Sequence, residues 1–252
     1  MEHKAVLSND FIKGELKISL LAFKIFLVAV NEIDAGKGGE HDNKLFDYKI
    51  PLKTLMPIFN IPETRNKSIY NKAKLAVDEL LDTQIRIKAI KKYGGINLVS
   101  EALYDDGYIY IGLNERLKPY TLQMEKNFTQ LPTKTILEMK SIHSVKIFTL
   151  LCMKLGMHKA KSGKSPYAGN KCDVKITMEE LRLVADTKKK YPRMLDFKKR
   201  VLEPAIEEIN NCSNYHLEIS DQEMDGKSIS AFIFTTQSSV GYIHECNQKK
   251  KN

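Results

Sequence analysis

The chain of 252 residues contains no apolar stretch long enough to cross a membrane. Its longest apolar run, residues 18–30, is interrupted by Ser19 and Lys24. A helix that spans a bilayer needs about 20 apolar residues. The N-terminal segment MEHKAVLSND also lacks the apolar core of a secretory signal. We therefore expect a cytoplasmic protein.

Side chains that bind metals or perform redox chemistry are few and scattered. The four cysteines include no C-x-x-C pair, so reduced thiols are expected. The six histidines include no H-x-H pair of the kind that DNA-nicking nucleases use, and HEC at 244–246 offers only two of the three or four ligands that a metal site needs. GKS at 163–165 is not a phosphate-binding loop, because position 158 is His rather than Gly. We expect no cofactor, no metal and no enzymatic activity.

Positive charge is plentiful. With 40 Lys and Arg against 31 Asp and Glu, the net charge is +9. This excess favours an anionic partner such as nucleic acid or a membrane surface.

An internal repeat organises the chain. The tripeptide KIF occurs at 24–26 and again at 146–148, and both copies lie in segments with the apolar spacing of an amphipathic helix. The pattern I-x-[LM]-x-x-L-x-x-[IV] begins at Ile50 and at Ile176, where it predicts a short extended entry followed by a compact helix. A third helix follows in each half, with Ala76 matched to Ala205, 129 positions apart.

Alternating β-rich segments follow the third helix of each half. They lie at 84–88 and 108–111 in the first half, and at 216–219 and 230–234 in the second. YGG at 93–95 and MDG at 224–226 predict the intervening turns. This order of elements is that of a winged helix, a helix-turn-helix with a β-hairpin appended. We predict an α+β protein of two tandem winged-helix domains.

We place the N-terminal winged-helix domain at 1–115. Residues 116–134 are predicted to form a packed connector, because they are not rich in Gly or Ser. The C-terminal winged-helix domain is placed at 135–240 and is expected to provide the main DNA-binding surface. The basic tail, 241–252, is expected to be disordered.

Charge is distributed unusually along the third helix of each half. Cations crowd its start and acids follow, although a helix N-terminus is the positive end of the macrodipole. An external anion at the helix start explains the cations, because phosphates bind cationic side chains and helix N–H groups. The DNA-binding residues predicted from this pattern are Arg65, Lys67 and Lys74 in the first half and Lys188, Lys189, Lys190, Arg193, Lys198, Lys199 and Arg200 in the second.

Helical spacing separates two faces of the second of these helices. Phe197, Val201, Leu202, Ala205, Ile206 and Ile209 are predicted to face the core, and Asp196, Lys199, Arg200 and Glu203 to face outward. Pro204 removes one backbone hydrogen bond and is expected to bend the helix near Arg200. The turns at 91–95 and 225–227 could let each wing contact DNA.

These residues resemble the iteron-binding plasmid replication initiators, the Rep_3 (RepB/RepE-like) family. The most specific matches are DFKKRVLEPAIEEIN at 196–210 and FTQL at 128–131 leading to SIHSVKIF at 141–148. The resemblance implies an initiator that binds direct repeats at a plasmid origin as a monomer, recruits the host initiator and the replicative helicase, and represses its own gene as a dimer on an inverted repeat. It also implies that the N-terminal domain contacts DNA and mediates dimerisation, and it adds Asn66 and Asn71 to the predicted DNA-binding residues of the first half.

Other functions fit the same pattern. A tandem winged-helix transcription repressor needs the same DNA-binding surface, and only the resemblance separates it from an initiator. A nicking enzyme needs a tyrosine such as Tyr70, Tyr104, Tyr108 or Tyr110 beside a histidine pair that is absent. A winged-helix scaffold that binds protein predicts DNA affinity with little dependence on salt.

Overall fold

The computed structural model describes residues 4–31, 48–55, 66–87, 94–122, 124, 126–163 and 171–238. The chain forms two compact units, Met1–Glu138 and Met139–Asn252. The predicted basic tail lies outside the described residues. The segment predicted as a connector, 116–134, groups with the first unit together with the residues up to Glu138.

The first unit contains short strands around a set of helices. In chain order they are β1 (Lys4–Ser8), α1 (Asn9–Ile12), β2 (Glu15–Leu16), α2 (Leu20–Asn31), β3 (Tyr48–Pro51), α3 (Leu52–Leu55), α4 (Asn66–Asp82), β4 (Gln84–Arg86), β5 (Gly95–Asn97), β6 (Val99–Asp105), β7 (Tyr108–Leu113), a 3₁₀ turn (Glu115–Leu117), α5 (Lys118–Thr121), β8 (Phe128–Pro132) and α6 (Thr133–Glu138). All strand pairs are antiparallel, in the sheets β1-β8, β2-β4-β5 and β3-β7-β6.

The core of the first unit lies between its helices and the β3-β7-β6 sheet. Helix α2 buries nearly its whole length, and Phe26 stacks on Phe11 with ring centroids 5.6 Å apart. Helix α4 buries a narrower stripe that includes Ile69 and Leu80. A helix with one buried stripe keeps its other face open, and this leaves most of α4 available for a partner.

The wing of the first unit differs from the prediction. The hairpin that pairs with β3 is β6-β7, and its turn is Asp106-Gly107, where φ is 39° and 78°. Two positive φ values are typical of the tight hairpin turns that match strand twist. The strand predicted at 84–88 instead forms β4, which pairs with β2 and β5, so the assignment of the wing turn to 91–95 is wrong.

The second unit repeats the winged-helix order. It contains α7 (Ile142–Ser162), β9 (Cys172–Thr177), α8 (Met178–Val184), α9 (Met194–Phe197), a π-helical segment (Lys198–Leu202), α10 (Glu203–Cys212), β10 (Tyr215–Asp225) and β11 (Ser228–Ser238). The strands form one antiparallel sheet in the order β10-β11-β9. The hairpin turn at Gly226-Lys227 agrees with the predicted MDG signal.

Local signals in the sequence explain where these helices begin. The hydroxyl of Ser141 accepts a hydrogen bond from the Ser144 N–H at the start of α7. Thr177 and Glu180 form a reciprocal capping box at the start of α8. The predicted fold class, α+β with two tandem winged helices, is confirmed.

The described residues show the state of three cysteines and the character of the helices. Cys152, Cys172 and Cys212 carry thiols rather than a disulfide, while Cys246 lies outside the described residues. Among the described helices, none combines the length and the apolar character that a membrane span requires.

Candidate nucleic-acid interface

The third helix of the second unit, here called the second reading helix, runs from Met194 to Cys212 through a π-helical segment. In that segment the Glu203 N–H donates to the Lys198 carbonyl, five residues earlier. Pro204 has no N–H and cannot donate to the carbonyl of Arg200, four residues earlier. The π turn therefore lies where the sequence predicts a bend.

The inner face of the second reading helix agrees with the apolar spacing. Phe197, Val201, Leu202, Ala205 and Ile209 are each no more than 1% exposed. Ile206, the remaining predicted core residue, is half-buried.

The outer face of the same helix carries exposed cations at the π turn. Lys199, Arg200 and Glu203 are exposed, whereas Asp196 is half-buried. In the part of the chain that the structure describes, neither Lys199 nor Arg200 forms an ion pair. Their charge is therefore not neutralised within the described protein.

Lys198 points toward the wing. Its Nζ lies 3.4 Å from Oε1 of Gln222 and 5.2 Å from the centroid of the Phe232 ring. Both contacts are on the β10-β11 hairpin. Lys198 thus links the second reading helix to the wing and is less accessible than its two basic neighbours.

A basic loop precedes the second reading helix. Lys188, Lys189 and Lys190 are exposed in the turn that follows α8, and Arg193 is exposed at the N-cap position, where its side chain makes no capping hydrogen bond. Lys190 lies 3.7 Å from a carboxylate oxygen of Asp186. Exposed pairs of this kind contribute little to stability. The loop therefore adds cationic side chains to those of the helix.

Arg182, on α8, holds this loop in place. Its guanidinium donates to the carbonyl oxygens of Thr187 at 3.3 Å, Lys190 at 3.1 Å and Tyr191 at 3.0 Å. The same group lies 4.7 Å from the centroid of the Phe197 ring. Tyr191 has a φ of 53°, which is uncommon for a bulky residue. Arg182 is absent from the predicted site, because one arginine on an amphipathic helix gives no signal in the sequence.

A buried lysine lies behind the basic loop. Lys146 is 5% exposed, and burial lowers its pKa to about 8, while Asp186 opposes that shift and Lys190 adds to it. Burial also lowers the pKa of His143, whose Nδ1 lies 3.0 Å from the carbonyl oxygen of Ala185. The protonation of Lys146 is thus linked to folding as the pH rises above about 8.

The acidic residues late in each third helix have a structural role that the charge pattern did not reveal. Glu208 accepts hydrogen bonds from the N–H groups of Lys140 and Ser141 at the start of α7. Glu79, its counterpart, accepts from both the N–H and the hydroxyl of Ser19 at the start of α2. Glu79 and Glu208 thus contribute hydrogen bonds within their own units, although each lies at the unfavourable end of its own helix dipole.

The third helix of the first unit, α4, is here called the first reading helix. Asn71 and Lys74 are exposed on its outer face, as is Lys72. Asn66 and Lys67 belong to the first turn of its backbone, but their side chains are not described. Arg65 lies outside the described residues. These positions remain predicted DNA contacts, as do those of the second unit.

Each unit thus combines a helix-turn-helix, a β-hairpin and a reading helix whose outer face carries exposed basic side chains. These features define a tandem winged-helix protein.

Comparison with known proteins agrees with this class. A family profile described as "Initiator Replication protein, WH1" matches residues 4–152, and one described as "Initiator Rep protein, WH2" matches residues 177–236. The chain belongs to this family of replication initiator proteins.

Among solved structures, the chain is similar to one described as "Crystal structure of Pi initiator protein in complex with iteron DNA". The two share 20% sequence identity with a TM-score of 0.72, and the match covers 94% of this chain and 98% of that chain. At this identity the likeness shows a shared fold. No curated protein sequence matches the chain significantly.

Proposed function

We propose that the protein binds double-stranded DNA at repeated sequences, or iterons, of a plasmid origin and thereby initiates plasmid replication. The observation that carries this proposal is the pair of exposed cations, Lys199 and Arg200, at the π turn of the second reading helix in an initiator-family fold. The structurally similar Pi initiator has been crystallised with iteron DNA, which supports the choice of ligand.

The chemistry of these side chains suits a duplex. Arginine can donate two parallel hydrogen bonds to O6 and N7 of guanine in the major groove. Lys199 and the lysines of the basic loop supply the cations that DNA phosphates attract. We assign base contact to Arg200 and phosphate contact to Lys188, Lys189, Lys190, Arg193 and Lys199.

We further propose that the protein is a homodimer in equilibrium with a monomer. Strand β6 lies at the edge of the β3-β7-β6 sheet, and Leu103 on it is 52% exposed. An exposed edge with an apolar side chain can pair with a second chain. The monomer is proposed to bind direct repeats, and the dimer to bind an inverted repeat and repress the protein's own gene.

The protein is proposed to act by binding rather than by catalysis, and to recruit the host initiator and the replicative helicase to the origin. Within the described residues, no group of three or more His, Cys, Asp or Glu side chains is placed to hold a metal ion. Incubating supercoiled origin DNA with the protein and Mg²⁺ tests this proposal. A nicked product that depends on the protein would refute it.

The second candidate, a tandem winged-helix repressor without an initiator role, has the same DNA-binding surface. Footprinting on the DNA upstream of the gene separates the two. Protection of several direct repeats, spaced by about two helical turns, is expected for an initiator. Protection of a single inverted repeat alone would favour the repressor.

A further inference from the structure

In each reading helix, one buried residue lies near each end of the inner face. The number of positions between these two buried residues differs by one between the helices. In the first, Ile69 and Leu80 are buried at the two ends of the inner face, 11 positions apart. In the second, Phe197 and Ile209 are buried in the same way, 12 positions apart. The extra residue has to be accommodated between the anchors.

Helix geometry places the extra residue in the π turn. At 3.6 residues per turn, 11 residues return to within about 20° of the starting direction, whereas 12 residues end about 120° away. A regular α-helix would therefore bury only one of Phe197 and Ile209. The segment Lys198–Leu202 is π-helical, and a π turn takes up one added residue. Helix α4 has no such segment.

Contacts with the wing give the same register independently. The Tyr70 ring of the first reading helix lies 5.8 Å from the Tyr104 ring on β6, while Lys198 of the second contacts Gln222 on β10. Tyr104 and Gln222 occupy equivalent places in their sheets. Tyr104 pairs with Ile109 of the central strand β7, and Ile109 also pairs with Ile50. In the second unit Gln222 pairs with Phe232 of the central strand β11, and Phe232 also pairs with Ile176, which the repeat matches to Ile50.

The equivalence of Tyr70 and Lys198 sets the register for the next residues. Two positions after Tyr70 is Lys72, and two positions after Lys198 is Arg200, so Lys72 matches Arg200. If matched residues of the two helices were always 129 positions apart in the chain, as Ala76 and Ala205 are, then Asn71 would match Arg200 instead. The π turn explains why that separation does not extend to the earlier part of the helix.

We infer that Lys72 is the DNA-contacting residue of the first reading helix that corresponds to Arg200 in the second, and that Asn71 is not. This inference rests on the proposed function. Lys72 is exposed, and in the described part of the chain it forms no ion pair. A lysine presents three donors on a flexible stem, so it contacts a phosphate or the acceptor edge of a guanine rather than forming the fork-shaped pair of an arginine.

The test compares three single variants of the full chain on a duplex that the wild-type protein selects from a random library. Lys72→Ala is expected to weaken binding by about 10-fold, because one direct contact is lost. Asn71→Ala is expected to weaken binding less than Lys72→Ala does, because Asn71 is not at the position that matches Arg200. Lys17→Ala is the control, because Lys17 is exposed in the same unit and lines a pocket together with Asp82, at the other end of the first reading helix; its Nζ lies 3.8 Å from a carboxylate oxygen of Glu15.

The possible results separate the inference from the proposed function. Equal affinities for Lys72→Ala and Lys17→Ala would overturn the inference, as would a larger loss for Asn71→Ala than for Lys72→Ala. Arg200→Ala is measured alongside, and a loss there without a loss in Lys72→Ala refutes the inference while the proposed function stands. If the wild-type protein selects no duplex, both fall together. Urea unfolding of each variant verifies that the changes do not act through stability.

Discussion

The carboxylate of Glu208 joins the second reading helix to the first helix of its own unit. Glu208→Ala measures how much this contact contributes to the free energy of unfolding. The side chain is half-buried and accepts hydrogen bonds from two backbone N–H groups, those of Lys140 and Ser141. These groups lie at the start of α7, where negative charge also interacts favourably with the helix dipole. Alanine leaves both donors without this acceptor.

The expected cost follows from these contacts. A hydrogen bond to a charged group contributes about 1.5–3 kcal/mol when it is buried. Because water can reach the half-buried Glu208 site and replace part of each bond, we expect about 1 kcal/mol per bond, or about 2 kcal/mol in total. Glu208→Gln keeps an acceptor but removes the charge, so about half of that loss is expected.

The assay is urea unfolding followed by circular dichroism, with Glu207→Ala as the control. Glu207 is exposed on the same helix, and its substitution is expected to change the free energy of unfolding by less than about 0.5 kcal/mol. The same comparison in the first unit uses Glu79→Ala against Asp78→Ala. Equal losses for Glu208→Ala and Glu207→Ala would refute the role assigned to this carboxylate.

Three further predictions concern the site. Arg200→Ala is expected to weaken binding to the specific duplex by about 1–3 kcal/mol and binding to random duplex much less, as measured by fluorescence anisotropy; equal losses on both would make Arg200 a phosphate contact. Arg182→Lys is expected to lower the free energy of unfolding by about 1–2 kcal/mol, because an ammonium group cannot donate to three separate carbonyls in the same geometry, and an unchanged urea midpoint would contradict this. The pKa of Lys146 is lowered from 10.5 to about 8, so the unfolded chain holds more protons above pH 8 and the wild type gains stability as pH rises. Between pH 7 and pH 9.5 this gain relative to Lys146→Met is about 2 kcal/mol, and a constant difference between the two proteins across that range would refute it.

The sequence predicts the repeat well because apolar spacing and helix caps are local signals. Five of the six residues that the spacing predicts to face the core of the second reading helix are buried, and the sixth, Ile206, is half-buried. These features depend on neighbours within one or two helical turns.

The first wing was misassigned because pairing between strands is not a local property. Gly94-Gly95 and Asp106-Gly107 are both plausible turns in the same β-rich region. The choice depends on which strand pairs with β3, and only the structure shows that β7 does. The strand β6, between the two candidate turns, was not predicted.

The acidic residues late in the reading helices show a further limit. Glu79 and Glu208 looked unfavourable when each helix was considered alone. Their partners are Ser19 and the pair Lys140 and Ser141, about 60 or more positions earlier in the chain. Helix-dipole arguments made on one isolated helix cannot include such distant partners.

The dependence of DNA affinity on salt tests the central claim, that the basic surface binds DNA, most directly. Lys188, Lys189, Lys190, Arg193 and Lys199, the side chains assigned to phosphates, are exposed, and among the described residues only Lys190 has an ion pair, the exposed one with Asp186. If each of these five side chains neutralises one phosphate, the slope of log K against log salt concentration is about −4.5. A steep slope of this size on the selected duplex is the predicted result, and an affinity that does not change with salt would contradict the account.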